Sequence, residues 1–192
     1  MDGKLKVITP VSGEPISVDD VKDQLRIDIA NEDDYIADLI FAVREYAESY
    51  TGRALATQTL EILLDGFPDL DFIEIQSPPL QSVTSVKYKD STGAEITMAA
   101  TTDYLVDTEQ EPGRIVLPLF KAWPAVTLYP VNPIRIRYVA GYDGATLKIP
   151  YGLKAALLLH VGLLYKYRDD EIPPGAMDTV KRLYNMYRLR WL

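Results

Sequence analysis

The chain has 192 residues, 47% of them hydrophobic and 25% charged, with a formal net charge of −8. That length fits one domain, or one domain carrying a sizeable insertion, and the composition supports a packed core. With no cysteine, disulfides, thiolate metal sites and a cysteine nucleophile are excluded. The charge is unevenly spread: residues 1–150 hold 13 lysines and arginines against 24 aspartates and glutamates, and residues 151–192 hold 7 against 4. An acidic body argues against wrapping nucleic acid over the whole surface, and leaves room for one basic contact surface at the C-terminus.

Residues 1–15, MDGKLKVITPVSGEP, contain two prolines and two glycines and read as a flexible N-terminal arm. They lack the apolar core of a signal peptide, so secretion by that route is not expected. In ISVDDVKDQLRID, Ser17 is placed to cap a helix whose first turn holds Asp19 and Asp20, where the helix dipole favours negative charge. Val18, Val21 and Leu25 form its inner face. From Asn31 to Asp34 a second cap region leads into Ile36, Leu39, Ile40, Val43, Tyr46, Ala47 and Tyr50 at helical spacing. Asp38, Arg44, Glu45 and Glu48 fall mostly on the other faces, and Gly52 ends this helix.

From Leu55 the period changes from helix to strand. Leu60, Ile62 and Leu64 alternate with polar neighbours, as do Ile73 and Ile75, and then Val86 and Tyr88. Further strands are expected at Tyr104–Asp107, Arg114–Leu117, Ala125–Leu128 and Ile134–Tyr138, the last with Arg135 and Arg137 on its solvated side. Frequent proline and glycine turn signals make residues 56–140 an antiparallel β module.

Pro150 then opens a helix in which Leu153, Ala156, Leu157, His160, Val161 and Leu164 form one face. Leu158, Leu159 and Leu163 widen that face until nearly the whole circumference is apolar, which predicts burial on most sides. Lys154, Lys166 and His160 make the run too short and too interrupted to span a membrane. After the break at Pro173, Pro174 and Gly175, a last helix from Met177 to Leu189 carries the stripe Val180, Leu183, Tyr184, Tyr187 and Trp191 among basic residues. The expected fold is α+β: a small helical bundle of two N-terminal helices, a central apolar helix and a C-terminal helix, with the β module inserted. The arm covers 1–15, the main domain 16–170 (helices within 17–52 and 150–168, β module 56–140), and a linker with the last helix 171–192.

Catalytic signatures are absent. The sequence has no phosphate loop, dinucleotide fingerprint, HExxH or GxSxG. Its one histidine, His160, lies in the middle of an apolar helix and reads as a satisfied core residue. The cluster Glu32, Asp33, Asp34 and Asp38 reads as a helix start and lacks the alternating spacing and glycine of a calcium loop. No cofactor, metal or enzymatic activity is expected. The terminal YNMYRLRWL is richer in Tyr, Arg and Trp, the residues enriched at the energetic centres of interfaces.

In order along the chain, ISVDDVKDQLRID, DDYIADLIFAVREYAESYTGRAL, QTLEILLDGFP, SPPLQSVTSVKYKDSTG, RIRYVAGYDG and IPYGLKAALLLHVGLLYKYRDD resemble the head–tail connector, or adaptor, proteins of long-tailed bacteriophages, prophages and gene transfer agents. The resemblance covers residues 10–170. It implies a structural virion protein, made in the bacterial host cytoplasm, that forms a ring of copies (commonly twelve) beneath the portal. Such a ring extends the DNA channel without gripping DNA and links the capsid to stopper or tail-completion proteins, with no membrane involved. It also implies docking onto the portal protein through the C-terminal part, here Tyr184, Tyr187, Arg188, Arg190, Trp191 and Leu192. On that reading, removal of residues 177–192 abolishes portal binding and leaves the domain folded. Two other readings predict different behaviour: a tail or receptor-binding β module would bind carbohydrate, and a carboxylate-dependent hydrolase would pair two acids in a cleft.

Overall fold

The structure, a computed structural model, describes residues 3–29, 31–168 and 170–189. Among the described residues the strands are β1 (Lys4–Thr9), β2 (Gln58–Leu64), β3 (Phe72–Glu74), β4 (Leu80–Lys89), β5 (Glu95–Thr97), β6 (Leu105–Asp107), β7 (Arg114–Val116) and β8 (Ile134–Ala140). The helices among them are α1 (Val18–Leu25), α2 (Asp33–Thr51), α3 (Tyr151–Lys166) and α4 (Ala176–Asn185). The chain divides into two compact units. One joins the N-terminal segment up to Ser12 to Thr57–Gly141, and the other joins Gly13–Ala56 to the segment from Tyr142 onward.

In the β unit, an antiparallel sheet runs in the order β1-β2-β8-β4-β5, and a smaller one in the order β3-β7-β6. β2 and β8 pair without a slip from Gln58 opposite Ala140 to Leu64 opposite Ile134. That register places Leu60, Ile62, Leu64, Ile134, Ile136 and Tyr138, all buried, on one face. A shift of one residue would turn every one of them to the other side, so burial and register fix each other. The smaller sheet supplies buried Ile73 and Ile115. It meets the larger one where Gly113, just before β7, lies so close to Leu80 that an added Cβ would sit 2.6 Å from the Leu80 Cβ. The Tyr138 hydroxyl donates to the Gln76 carbonyl at 2.8 Å, which satisfies the one polar atom of that buried ring.

Two expectations are revised here, and one strand is new. Residues 4–9, expected within a mobile arm, form the edge strand β1, with Leu5 opposite Ile62 and Val7 opposite Leu60. Ala125–Leu128 is not a strand. Pro124 and Pro130 flank it, and its ladder contact is an isolated bridge between Leu128 and Asp90. The short strand β5, unforeseen in the sequence, pairs with the end of β4.

The helical unit begins with a capping box. The Asp20 amide donates to Ser17 Oγ and the Ser17 amide donates to Asp20 Oδ2, both at 3.0 Å. Asp20 also pairs with Lys154 Nζ at 2.8 Å, tying α1 to α3. One core contains Val21, Ile36, Ile40, Val43, Ala47, Leu153, Ala156, Leu157, Val161, Val180 and Tyr184, so α4 belongs to the same packed unit as α1, α2 and α3. Arg44, expected on an outward face, is only 5% exposed. It pairs with Glu14 at 2.8 Å and with Glu48 at 2.9 Å, and Glu48 also accepts the Leu55 amide. Burial pushes the Glu48 carboxyl above its usual range despite those donors. α3 is less enclosed than its composition predicts: one broad side is buried, Leu158, Leu163 and Leu164 are half-buried, and Leu159 is exposed.

That difference within one helix is testable. Leu157→Ala should cost about 2–5 kcal/mol in urea denaturation, because it opens a cavity in the core. Leu159→Ala should cost about 1 kcal/mol or less, since its side chain already meets solvent.

Candidate functional site: the C-terminal helix

α4 follows the Pro173-Pro174 break, and Gly175 precedes it at φ +83°, in the left-handed region that favours glycine. Asp178 in its first turn and Arg182 in its last turn both complement the helix dipole. The apolar stripe faces inward: Val180 and Tyr184 are fully buried, and Met177, Leu183 and Tyr187 pack around them. The opposite side presents Lys181, Arg182, Asn185 and Met186, followed by Arg188, all exposed. Met186 is 73% exposed, an unbranched apolar side chain within a basic surround.

The inward side is an aromatic cluster. The Tyr184 hydroxyl lies 3.2 Å from His160 Nδ1, and the Tyr46 ring meets the His160 ring edge-on at 5.0 Å between centroids. Tyr50 packs 6.0 Å from Tyr184. Burial lowers the His160 pKa to about 4, so the imidazole is neutral at pH 7. Burial, with the Tyr46 neighbour second, raises that of Tyr184. This pair is therefore a neutral hydrogen bond inside a core. Among the described residues no group of three or more His, Asp or Glu side chains is placed to hold a metal. At the other end of the unit, Glu32 accepts the Tyr165 hydroxyl and Arg168, and Asp33 pairs with Lys22 at 2.8 Å.

Beyond α4 the chain folds back onto the end of α2. The Leu189 amide donates to the Thr51 carbonyl at 2.9 Å, one of the last-turn carbonyls that a helix leaves without an internal donor. Arg53 Nε donates to the Tyr187 carbonyl at 2.5 Å, and the Tyr50 hydroxyl donates to Asn185 Oδ1 at 3.0 Å. The Arg188 guanidinium lies 5.3 Å from the centroid of the Tyr50 ring. These bonds end the helix at Asn185, four residues before the Leu189 end that the periodicity predicts.

The six residues assigned to docking from the sequence are thus separated. Tyr184 is 0% exposed and holds α4 in place, so it offers no contact surface. Tyr187 is half-buried, with its hydroxyl where a Cβ on Gly152 would be 2.5 Å away. Arg188 is exposed, while Arg190, Trp191 and Leu192 lie outside the described residues. The outward residues that the sequence reading passed over are Lys181, Arg182 and Met186. Their signal was present: they are the positions that the apolar stripe leaves out.

A second exposed feature lies in the β unit. Leu119 and Phe120 are 81% and 96% exposed, and Phe120 has φ +63°, a conformation costly for a bulky side chain. The base of this loop is held by Trp123, which stacks on Phe67 at 5.2 Å and donates from Nε1 to the Leu70 carbonyl at 2.8 Å.

The sequence model of the phage gp6-like head-tail connector protein family matches residues 15–113, from just before α1 to the start of β7. The chain belongs to that family. A search of curated protein sequences finds no match. In fold, the connector chain is similar to a chain in the virion of a native gene transfer agent particle, with 22% identity over 98% of this chain and 97% of that one and a TM-score of 0.79. It is also similar to chains in the neck of an empty gene transfer agent particle computed with C6 symmetry (22% identity, TM-score 0.76) and of a native one computed with C12 symmetry (23%, 0.73), at the same coverage.

The buried histidine gives a pH signature to the connector's helical unit. His160 is held neutral in the fold, so the unfolded chain takes up the proton first. Stability is full above pH 6.5 and falls as the pH drops from there towards about 4. The loss should be on the order of 2 kcal/mol between pH 7 and 4.5 in urea titrations, and His160→Gln should remove most of that dependence. The lowered carboxyl pKa values of Asp20 and Glu32 act below this window, whereas the raised Glu48 carboxyl acts within it and with the opposite sign, offsetting part of the loss.

Proposed function

We propose that this connector is a ring-forming structural subunit of a virion neck, with twelve copies beneath the portal protein. The ring extends the DNA channel and passes the load of the head to stopper or tail-completion proteins. The observation that carries this reading is the family match across both helical and β elements. Likeness in fold to neck chains over nearly the whole length supports it, as do the C6 and C12 symmetries in which those necks were computed.

The chemistry fits a part whose task is contact. The net charge of −8 disfavours retention of a passing duplex, because phosphates are repelled by an acidic wall. The outward side of α4 is the docking element towards the portal. Lys181, Arg182 and Arg188 would pair with acidic groups there, and Met186 would seat in an apolar recess. Tyr184 and Val180 act behind that surface by fixing the helix, and the terminal residues Arg190, Trp191 and Leu192 extend the same docking segment. Exposure of Leu119 and Phe120 on a loop with an anchored base fits burial in an assembly.

Removing 177–192 would also strip Val180 and Tyr184 from the core, so the sharper variant keeps the helix. The double substitution Arg182→Glu and Arg188→Glu in the full chain should leave the circular dichroism unchanged. Any drop in the midpoint should be limited to a few degrees, the cost of an acid in the last turn of α4 and of the lost Arg188–Tyr50 contact, while co-sedimentation with the cognate portal should weaken by tenfold or more, since like charges then face each other across the contact. Undiminished portal binding by that folded variant would contradict the docking role.

A further inference from the structure

The outer face of the five-stranded sheet and the outer face of α2 carry matching patterns. Residues directly opposite in an antiparallel ladder share a face. Lys4 is opposite Leu63, Leu63 is opposite Arg135, and Arg135 is opposite Lys87. These four side chains therefore form one row across β1, β2, β8 and β4 on the side away from the buried face. The next row holds Lys6, Glu61 and Arg137. In a chain of net charge −8 this face is basic. Its two acids are already engaged, Glu61 by Arg137 at 2.9 Å and Glu95 by Lys87 at 2.7 Å. Lys4 and Lys6 are exposed and have no ion pair among the described residues. Arg135 Nε is buried without a hydrogen-bond partner, an arrangement that costs free energy.

On α2, Asp34, Asp38, Phe41 and Glu45 recur at spacings of four, three and four and are all exposed, which places them on one stripe. The three carboxylates have no ion pair among the described residues, and Phe41 is 48% exposed between them. With a rise of about 1.5 Å per residue, the stripe has members at roughly 0, 6, 10.5 and 16.5 Å. With strands about 4.8 Å apart, the row Lys87, Arg135, Leu63, Lys4 has members at roughly 0, 4.8, 9.6 and 14.4 Å. The orders agree: acid, acid, aromatic, acid against base, base, leucine, base.

We propose that these surfaces are the two halves of one heterologous contact between copies of this chain. α2 of one copy lies across the sheet of the next, with Asp38 at Arg135, Phe41 on Leu63 and Glu45 at Lys4, and with Asp34 sharing Lys87 with Glu95. The inference deepens the ring reading and rests on it: a contact between unlike patches repeats around a ring when its rotation closes. Charge complementarity and the central apolar pair select a second copy as the occupant. Duplex DNA fits less well, because its backbone offers no apolar group to Leu63 and the chain as a whole repels phosphate.

The test uses the full chain at low salt. Sedimentation should show self-association that weakens as salt rises. Arg135→Glu or Asp38→Arg alone should weaken it by about tenfold or more, and the two combined in one chain should restore it to within about threefold. Carbodiimide cross-linking of a wild-type mixture of isotope-labelled and unlabelled chains should join Lys4 to Glu45, or Lys87 to Asp34, between copies. That map decides the matter even if a substitution impairs folding. Single variants that associate as the wild type does would overturn the inference, as would cross-links that avoid these pairs or a wild type that stays monomeric. So would an Arg135→Glu effect confined to duplex DNA binding. Portal capture, scored separately, tells a failure of this contact from a failure of the connector reading.

Discussion

α3 is the element that α1, α2 and α4 all pack against. Leu153, Ala156, Leu157, His160 and Val161 are buried along it, and each neighbour reaches it by a different means. α1 reaches it through the Asp20–Lys154 pair and by packing Leu25 close to Gly162. α2 does so through Tyr46 against His160, and α4 through the Tyr184–His160 hydrogen bond. Burial of apolar area on this scale is the dominant favourable term in such a unit. It also explains why a polar side chain in the middle of α3 is tolerated: the neutral imidazole has a hydroxyl partner and aromatic walls.

The same logic of two faces runs through the β unit. In the larger sheet the alternation along β2 and β8 sends one set of side chains into the core, while the other set is half-buried or, at Glu61, itself buried. The inner set defines the fold. The outer set includes Arg137, held by Glu61, Lys87, held by Glu95, and the exposed Lys4 and Lys6.

Much of this was legible in the sequence because amphipathic period and cap chemistry are local. The Ser17 cap, the α2 stripe ending at Gly52, the alternation in β2 and β8, and the core role of His160 follow from residues a few positions apart. Less visible were features that depend on distant partners. β1 exists because β2 offers it an edge, so a segment rich in lysine and flanked by proline gave only a weak strand signal. Arg44 is buried because Glu14 and Glu48 converge on it, which spacing along α2 could not reveal. At α4 the tyrosines drew attention as interface residues. The packing of the helix turned them inward and left Lys181, Arg182, Met186 and Arg188 outside.

The most direct test is electron microscopy of the purified chain bound to its cognate portal. The account predicts a closed ring at the narrow end of the portal, with one copy per portal subunit and the outer side of α4 against the portal surface. Portal particles that remain bare at high protein concentration and low salt would contradict it, as would a ring that leaves α4 facing solvent.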